Sequence, residues 1–242
     1  MQIDLFLTPI PLKRAELENR TVVVVDVLRS TTSICTALVA GARGVIPTSG
    51  PGEAAEMWNK IGSDSAVLAG EREGVRIDNF NLGNSPAEFT REAVRDKYVV
   101  MNTTNGTAIF QHVRKAACVF TCALVNISRV AERVARENRD TVIVCSGQAG
   151  DFSVEDTLCG GMLIDKLRVE HSWQAALNDA ASLALLLYES GRTTIRQTIE
   201  RSEHGRFLES IGFGGDVDMA ARVDSVPVLP VMRDGRLILE NN

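Results

Sequence analysis

Three apolar, strand-like segments each run directly into small hydroxyl, amide or glycine residues. The loops that follow them have the sequences DVLRSTT (26–32), NTTNGT (102–107) and CSGQAG (145–150). In open α/β sheets, ligands bind beyond the carboxyl ends of the strands. The free N–H groups and the positive dipole end of a following helix suit phosphate or another anion. Together the three loops predict an anion site, whereas any one loop alone could equally be ordinary N-capping and turn chemistry.

Asp26 follows four consecutive valines, so it is predicted to lie at the end of a buried strand. An ionised carboxylate there costs several kcal/mol to bury unless a cation accompanies it. The sequence allows two cationic partners for Asp26. One is a divalent metal ion, and the other is Arg29 in a structural ion pair.

Three further acids occupy comparable places. Glu155 and Asp156 lie in the first turn of a predicted helix, and Glu71 follows a strand with Arg72 beside it. Compensation of the helix dipole or ion pairing is the structural interpretation of these acids. The functional interpretation is a hard-metal site, because carboxylates and water are the ligands that Mg²⁺ prefers.

The three histidines are scattered and show no HxH or HExxH spacing, which argues against a zinc site. His112 and His171 are predicted at the surface or at helix ends. His204 lies in a polar segment that is rich in arginine. It is a candidate acid–base group or anion contact.

Several other chemistries lack their sequence pattern. The chain has no GxxxxGK[ST] loop, and no GxGxxG follows the first strand, so a nucleotide-dependent enzyme lacks support. None of the five cysteines has an arginine six residues later, as a thiolate phosphatase would need. Leu28 stands where an aspartyl-phosphate phosphatase of the haloacid dehalogenase type has its second Asp. The cysteines are therefore predicted to be small buried apolar side chains.

The elements that must position these groups alternate between strand and helix. Strands are predicted at 22–25, 45–48, 66–69, 98–102, 118–121 and 141–145, and a long polar loop at 70–84. Helices are predicted after Ser30 and at 53–60, from about 107 to 115, at 127–138, from 153 and at 175–190. This alternation predicts a three-layer α/β/α fold with a mixed, mostly parallel sheet. A C-terminal β-hairpin with the turn RDGR (233–236) is predicted to follow these elements.

Two capping boxes are predicted at helix starts. Ser85, Pro86 and Glu88 match the N-cap, N1 and N3 positions of one box, and Ser153 with Asp156 matches another.

Composition places limits on the class of protein. The chain has 242 residues, 45% hydrophobic residues and a net charge of −5, from 26 Lys+Arg and 31 Asp+Glu. Disorder and nucleic-acid binding are disfavoured, and no apolar run reaches the ~18 residues of a membrane span. We expect one domain over 1–242, with a possible subdivision near 172. The odd cysteine count without CxxC spacing favours the cytoplasm, and a homodimer is the base-rate expectation.

Six short stretches occur in one order along the chain: VVDVLRSTT (24–32), AGER (69–72), LGNSP (82–86), TTNGT (103–107), CSG (145–147) and EDTLC (155–159). In these stretches the chain resembles the 2-phosphosulfolactate phosphatase family, the Mg²⁺-dependent phosphatases of coenzyme M biosynthesis. The segment 202–230 also fits, though less distinctly. The resemblance implies a three-layer α/β/α fold, a requirement for Mg²⁺, and hydrolysis of (2R)-2-phospho-3-sulfolactate to 3-sulfolactate and phosphate.

Carried over position by position, the resemblance makes Asp26, Glu71 and Asp156 the candidate metal ligands. Asp26, Arg29 and Asp156 become the candidate catalytic residues. The candidate substrate contacts are Arg29, Ser30, Thr31, Arg72, Asn84, Asn105, Gly106, Thr107, Ser146, Gly147 and His204.

The predicted mechanism is metal-assisted phosphoryl transfer to water, in which positioning and electrostatics do most of the work. The nucleophile is open between a metal-bound water and the Asp26 carboxylate. Another small phosphorylated 2-hydroxy acid is an alternative substrate. A non-catalytic binding protein for a phosphorylated or sulfonated metabolite is the alternative function, although such a protein gains nothing from acids around its anion.

Overall fold

Strands and helices alternate along the chain. The computed structural model describes residues 1–10, 12 and 17–240. The strands are β1 (Gln2–Phe6), β2 (Thr21–Val25), β3 (Gly44–Pro47), β4 (Ala66–Arg72), β5 (Val75–Arg76), β6 (Tyr98–Asn102), β7 (Cys118–Cys122), β8 (Thr141–Cys145), β9 (Ala176–Leu177), β10 (Pro230–Arg233) and β11 (Arg236–Leu239). The helices are α1 (Ser30–Val39), α2 (Pro51–Ile61), α3 (Arg91–Val94), α4 (Gly106–His112), α5 (Ile127–Glu137), α6 (Val154–Val169), α7 (Asp179–Gly191), α8 (Ile195–Glu200), α9 (Glu203–Ser210) and α10 (Gly214–Ala220).

The strands form one mixed sheet in the order β5-β4-β6-β3-β11-β10-β7-β2-β8-β1-β9. Two parallel sets make up most of it, namely β7, β2, β8, β1 and β9 on one side and β3, β6 and β4 on the other. The β10–β11 hairpin is antiparallel, and Arg233 pairs with Arg236 across its two-residue turn. The predicted α/β class, mixed sheet and C-terminal hairpin are confirmed.

The hairpin lies between the two parallel sets and pairs antiparallel with both, through β7 and β3. Three antiparallel pairings in succession reverse the strand direction, so the two sets run in opposite directions. In a flat sheet their carboxyl ends would therefore lie at opposite edges. The sheet instead coils around α1 and α4, which contact strands of both sets. Sheet twist makes such coiling possible.

Alternate residues of each strand supply different parts of the core. Val22 and Val24 of β2 face the cluster that also contains Val45, Val99 and residues of α1 and α4, between the two sets. Val23 and other outward residues of the first set pack against α5, α6 and α7. A smaller cluster joins the second set to α2. Helices therefore cover both faces of each set.

The capping box predicted at Ser85 is wrong. Only a short 3-10 turn, Pro86–Glu88, forms there, and the Ser85 side chain does not cap it. The Ser85 hydroxyl donates instead to Asp216 Oδ1 at 2.6 Å, and Glu88 accepts from the Gly83 N–H at 2.8 Å. At Ser85, a partner 131 residues away thus replaces the local one that the sequence pattern predicts.

Other details of the predicted elements also differ in the structure. Helix α6 begins next to Ser153 as predicted, but the Ser153 side chain makes no capping bond, and Asp156 accepts from the Val27 N–H instead. The polar stretch 70–84 includes the end of β4 and the short strand β5, which pair as a hairpin. The helix predicted from 175 begins at Asp179, after β9, and α4 ends three residues before Lys115.

Within the described part of the chain, no helix combines the length and apolarity needed to cross a bilayer. The division considered near residue 172 falls between α6 and α7, which pack against each other.

Close packing of α6 on α7 gives a test of this architecture. A Cβ added at Gly161 would lie 2.0 Å from the carbonyl oxygen of Ala184. Gly161→Ala should therefore lower the free energy of unfolding by about 2–3 kcal/mol, because backbone must move to admit the methyl group. Urea unfolding measures this change.

Gly52→Ala is the matched control, since Gly52 lies in α2 and has no atom within 4 Å of an added Cβ. It should be neutral or stabilise by up to about 1 kcal/mol through helix propensity. Equal stability of the two variants would contradict the close contact between α6 and α7.

Candidate active site

A cavity of about 250 Å³ lies where the segments at the carboxyl ends of β2, β4, β6 and β8 converge, with α9 closing one side. Its walls combine acids, amides, hydroxyls and a few apolar side chains. The lining residues are Asp26, Leu28, Arg29, Glu71, Glu73, Gly74, Asn84, Thr103, Thr104, Asn105, Gln148, Ala149, His204 and Phe207. The three predicted loops therefore do meet, although they extend from two oppositely directed sets of strands.

Asp26 is held at this cavity by the first turn of α1. The Ser30 N–H donates to Asp26 Oδ1 at 3.2 Å, and the Thr31 N–H and hydroxyl both donate to the Asp26 carbonyl, at 2.9 and 2.7 Å. Gly106 lies against the other carboxylate oxygen, where an added Cβ would be 2.1 Å from Oδ2. The small residues of these two loops thus fix the position of Asp26.

Burial raises the pKa of Asp26 from 3.8 to about 6. His204 and the Ser30 N–H oppose this rise, and the charge of Glu71 adds to it. At neutral pH the carboxylate is therefore ionised but destabilised, a condition that a bound cation would relieve.

Glu71 is a second buried carboxylate of the cavity. Its Oε1 accepts from the Thr104 N–H at 2.7 Å, and its Oε2 accepts from the Gly74 N–H at 2.9 Å and the Thr104 hydroxyl at 3.2 Å. These donors connect the β4–β5 turn to the loop after β6.

Asp156 lies behind the cavity wall and does not line it. Its Oδ1 accepts from the Val27 N–H at 2.8 Å, and its Oδ2 accepts from the Ser146 hydroxyl at 3.0 Å and the Gly147 N–H at 3.2 Å. Burial and the charges of Asp26 and Glu155 hold the pKa of Asp156 well above its usual range. Asp156 therefore ties the loops after β2 and β8 together.

Arg29 lines the cavity but pairs with a residue that the sequence analysis did not identify. Its Nη1 donates to Asp216 Oδ2 at 2.9 Å, and both side chains are almost fully buried. Its Nη2 donates to the Gly74 carbonyl at 2.6 Å. The structural alternative considered from the sequence, a pair between Arg29 and Asp26, is not the one that forms.

His204 stands between this cavity and an adjoining one of about 350 Å³. Its Nδ1 lies 3.3 Å from Glu155 Oε1. Glu155 is 1% exposed, and its Oε2 has no hydrogen-bond partner. The Glu155 carboxylate thereby fixes the orientation of the His204 ring.

The predicted site residues divide into two groups. Asp26, Arg29, Glu71, Asn84, Asn105 and His204 line the cavity. Ser30, Thr31, Arg72, Gly106, Thr107, Ser146, Gly147 and Asp156 do not. Ser30, Thr31 and Gly106 support Asp26, and Ser146 and Gly147 support Asp156, as described above. Arg72 donates to the Asn102 amide oxygen and the Glu71 carbonyl, and Thr107 exchanges hydrogen bonds with Thr103.

Several cavity residues were not among the predicted site residues. Thr104 and Gln148 lie in two of the loops identified from sequence, so their inclusion needed only the direction of the side chain. Phe207 follows His204 by three residues on α9, a spacing that places both on one helix face. No local pattern in the sequence indicates Asp216.

The donors at the cavity fit a magnesium ion better than a transition metal. Two buried carboxylates, Asp26 and Glu71, and the unpartnered amide oxygen of Asn84 all belong to its lining. Among the residues that the structure describes, no three His, Cys, Asp or Glu side chains form a metal cluster. Mg²⁺ commonly binds through only one or two carboxylates, with water and substrate phosphate as the other ligands.

The cysteines take no part in the cavity. Cys35, Cys122, Cys145 and Cys159 are buried and Cys118 is half-buried, all as free thiols. Burial raises the pKa of the Cys145 and Cys159 thiols well above its usual range. The prediction of small buried apolar side chains fits these positions.

Comparison with known proteins gives a consistent result. The sequence matches the model of the 2-phosphosulpholactate phosphatase family over residues 6–235. A relative from Clostridium beijerinckii is 33% identical over 240 residues, covering 99% of this chain and all of the relative. One from Caldanaerobacter subterraneus is 36% identical over 220 residues (91% and 90%), and one from Carboxydothermus hydrogenoformans is 35% identical over 244 residues (100% and 98%). All three relatives are named probable 2-phosphosulfolactate phosphatase.

The raised pKa of Asp26 predicts a stabilising substitution. An acid whose folded pKa is about 6 and unfolded pKa 3.8 costs stability as pH rises between these values. In EDTA, Asp26→Asn should therefore become more stable than the wild type between pH 4 and pH 7. The gain should reach up to about 3 kcal/mol. Urea unfolding across this pH range measures it, and a difference that does not change with pH would contradict the buried charge.

Proposed function

This chain belongs to the 2-phosphosulpholactate phosphatase family, and we propose that it hydrolyses 2-phospho-3-sulfolactate to 3-sulfolactate and phosphate with Mg²⁺ as its cofactor. The charge of the cavity is the observation that supports Mg²⁺ as the cofactor. Three acids line it, Asp26, Glu71 and Glu73, against one guanidinium, Arg29, which Asp216 already neutralises. A substrate with three anionic groups would be repelled from such a cavity unless cations bound with it.

We assign Asp26 and Glu71 as the protein's carboxylate ligands, with Asn84 as a further oxygen donor. Asp156 is left out of this set, because it does not line the cavity. When bound, the ion would neutralise charge on the phosphate and activate water for attack.

The chain's own groups hold and orient the ester. Arg29 provides N–H groups for the anionic oxygens, and the loop of Thr104 and Asn105 borders the same space. As water bonds to phosphorus, the ester P–O bond breaks and the departing 2-oxygen takes a proton. We assign His204 to this oxygen, because Glu155 fixes its ring at the cavity wall. Asp26 at the cavity wall is compatible with both roles considered from the sequence, metal ligand or attacking carboxylate.

Compartment and assembly stay predictions. Free thiols at all five cysteines support a reducing cytoplasm. Exposed leucines on α7, Leu183 and Leu186, support a subunit contact within a homodimer.

Phosphate release by the purified protein tests the proposed reaction. With Mg²⁺, 2-phospho-3-sulfolactate should release phosphate, and EDTA should abolish the release. Phospholactate, which lacks the sulfonate, should react at least tenfold more slowly. Release that survives EDTA would contradict the cofactor, and equal rates on both esters would contradict the substrate. No release from either ester would favour the non-catalytic binding protein.

Substitution of His204 tests its contact with the departing oxygen. His204→Ala should reduce kcat by roughly 10²-fold, within the range of general acid catalysis. The matched control is His112→Ala, because His112 is exposed at the end of α4 and lies outside the cavity. Full turnover by His204→Ala would exclude the assignment.

A further inference from the structure

Arg29 and Asp216 form an ion pair in the interior, next to the cavity. Their side chains are 2% and 4% exposed, and Arg29 Nη1 lies 2.9 Å from Asp216 Oδ2. The second carboxylate oxygen, Oδ1, accepts from the Ser85 hydroxyl at 2.6 Å. Asp216 therefore has a separate, fixed donor for each of its oxygens.

The Arg29 guanidinium has two further contacts. Its Nη2 donates to the Gly74 carbonyl at 2.6 Å, and the Phe213 ring lies 4.5 Å from its central carbon. The β4–β5 turn and the first part of α10 thus fix one planar group. A guanidinium has five N–H bonds, and the two hydrogen bonds described here leave three for a ligand of the cavity.

Stability alone is a weak reason for such a pair. A buried ion pair gains little over well-packed apolar side chains, because both charges must be removed from water. This pair borders a cavity, with Arg29 in its wall and Asp216 behind the wall. The arrangement is therefore better explained as placing a cation at a defined point.

We propose that Asp216 is a positioning residue that fixes the Arg29 guanidinium so that its remaining N–H groups meet an anionic group of the substrate. The proposal rests on the proposed function for the identity of that substrate. It also gives a reason for the C-terminal helices beside the cavity. Helix α9 supplies His204 and Phe207 to its wall, and α10 supplies the counter-ion of Arg29.

Two measurements on the full chain test this role. The first is kcat and KM for 2-phospho-3-sulfolactate with Mg²⁺. The second is the Kd of inorganic phosphate in the presence of Mg²⁺ by calorimetry, which needs no turnover. Absence of wild-type turnover would overturn the proposed reaction, whereas the phosphate measurement would still decide the role of Asp216.

Asp216→Ala should weaken phosphate binding at least tenfold and raise KM by a similar factor. Asp216→Asn should stay within threefold of the wild type, because its amide oxygen can accept from Arg29 while its N–H donates to Ser85. A merely structural role would not predict this rescue. The double variant Arg29→Ala with Asp216→Ala should bind phosphate no more weakly than Arg29→Ala alone, since Asp216 acts only through Arg29.

Asp218→Ala is the matched control. Asp218 lies on the same helix and pairs with Arg196 at 2.7 Å, but both side chains are about half exposed and outside the cavity. Its phosphate Kd should equal that of the wild type. Wild-type binding by folded Asp216→Ala would overturn the proposal, and so would a further tenfold loss in the double variant.

Thermal unfolding shows whether each variant folds. If Asp216→Ala does not, Ser85→Ala combined with Asp216→Asn replaces it. This variant keeps the volume of the 216 side chain but lacks the hydroxyl that orients its amide. The same tenfold loss is expected, and unchanged phosphate binding would overturn the proposal.

Discussion

Four carboxyl groups, those of Asp26, Glu71, Glu155 and Asp156, are buried near one another, and the surrounding backbone must offset their repulsion. Asp156 and Glu71 accept N–H groups from loops that follow different strands. These two acids therefore also link loops, because backbone N–H groups of the loops turn toward the negative charge and stabilise it. The carboxylate of Asp26 accepts fewer hydrogen bonds than that of Glu71, and burial raises its pKa. This incomplete compensation supports the proposal of a Mg²⁺ ion at the cavity.

The loops can meet because the sheet is coiled. A single parallel sheet would bring its carboxyl ends to one edge without further help. Here the two sets of strands run in opposite directions, and only the coil around α1 and α4 brings their ends to one cavity. The strand residues that fill this coil are mostly valines, with Met101 and Leu237 as larger members, and Phe110 and Leu38 are among the larger side chains of the helices. Packing of this interior therefore determines the distance between Asp26 on one set and Glu71 on the other.

Local sequence pattern predicts the strands well and the site in part. The strands at 98–102 and 141–145 match their predicted bounds, because uninterrupted apolar runs of that length fit a buried strand. The loops of the cavity were identified from their small polar residues. What the pattern could not give was the direction of each side chain, so Thr31, which supports Asp26, looked equivalent to Arg29, which lines the cavity. The partner of Arg29 lies 187 residues away, and only the tertiary fold brings the two together.

The position of the β10–β11 hairpin also has a consequence for biosynthesis. These two strands follow every other strand of the described chain, yet they occupy the centre of the sheet between β7 and β3. Until the hairpin has been synthesised, β7 and β3 therefore each have an unpaired edge at what becomes the centre of the sheet. Such edges invite association with other chains until they are covered. The sheet is therefore completed only after these two strands have been made, and a nascent chain paused before residue 230 would keep both edges unpaired.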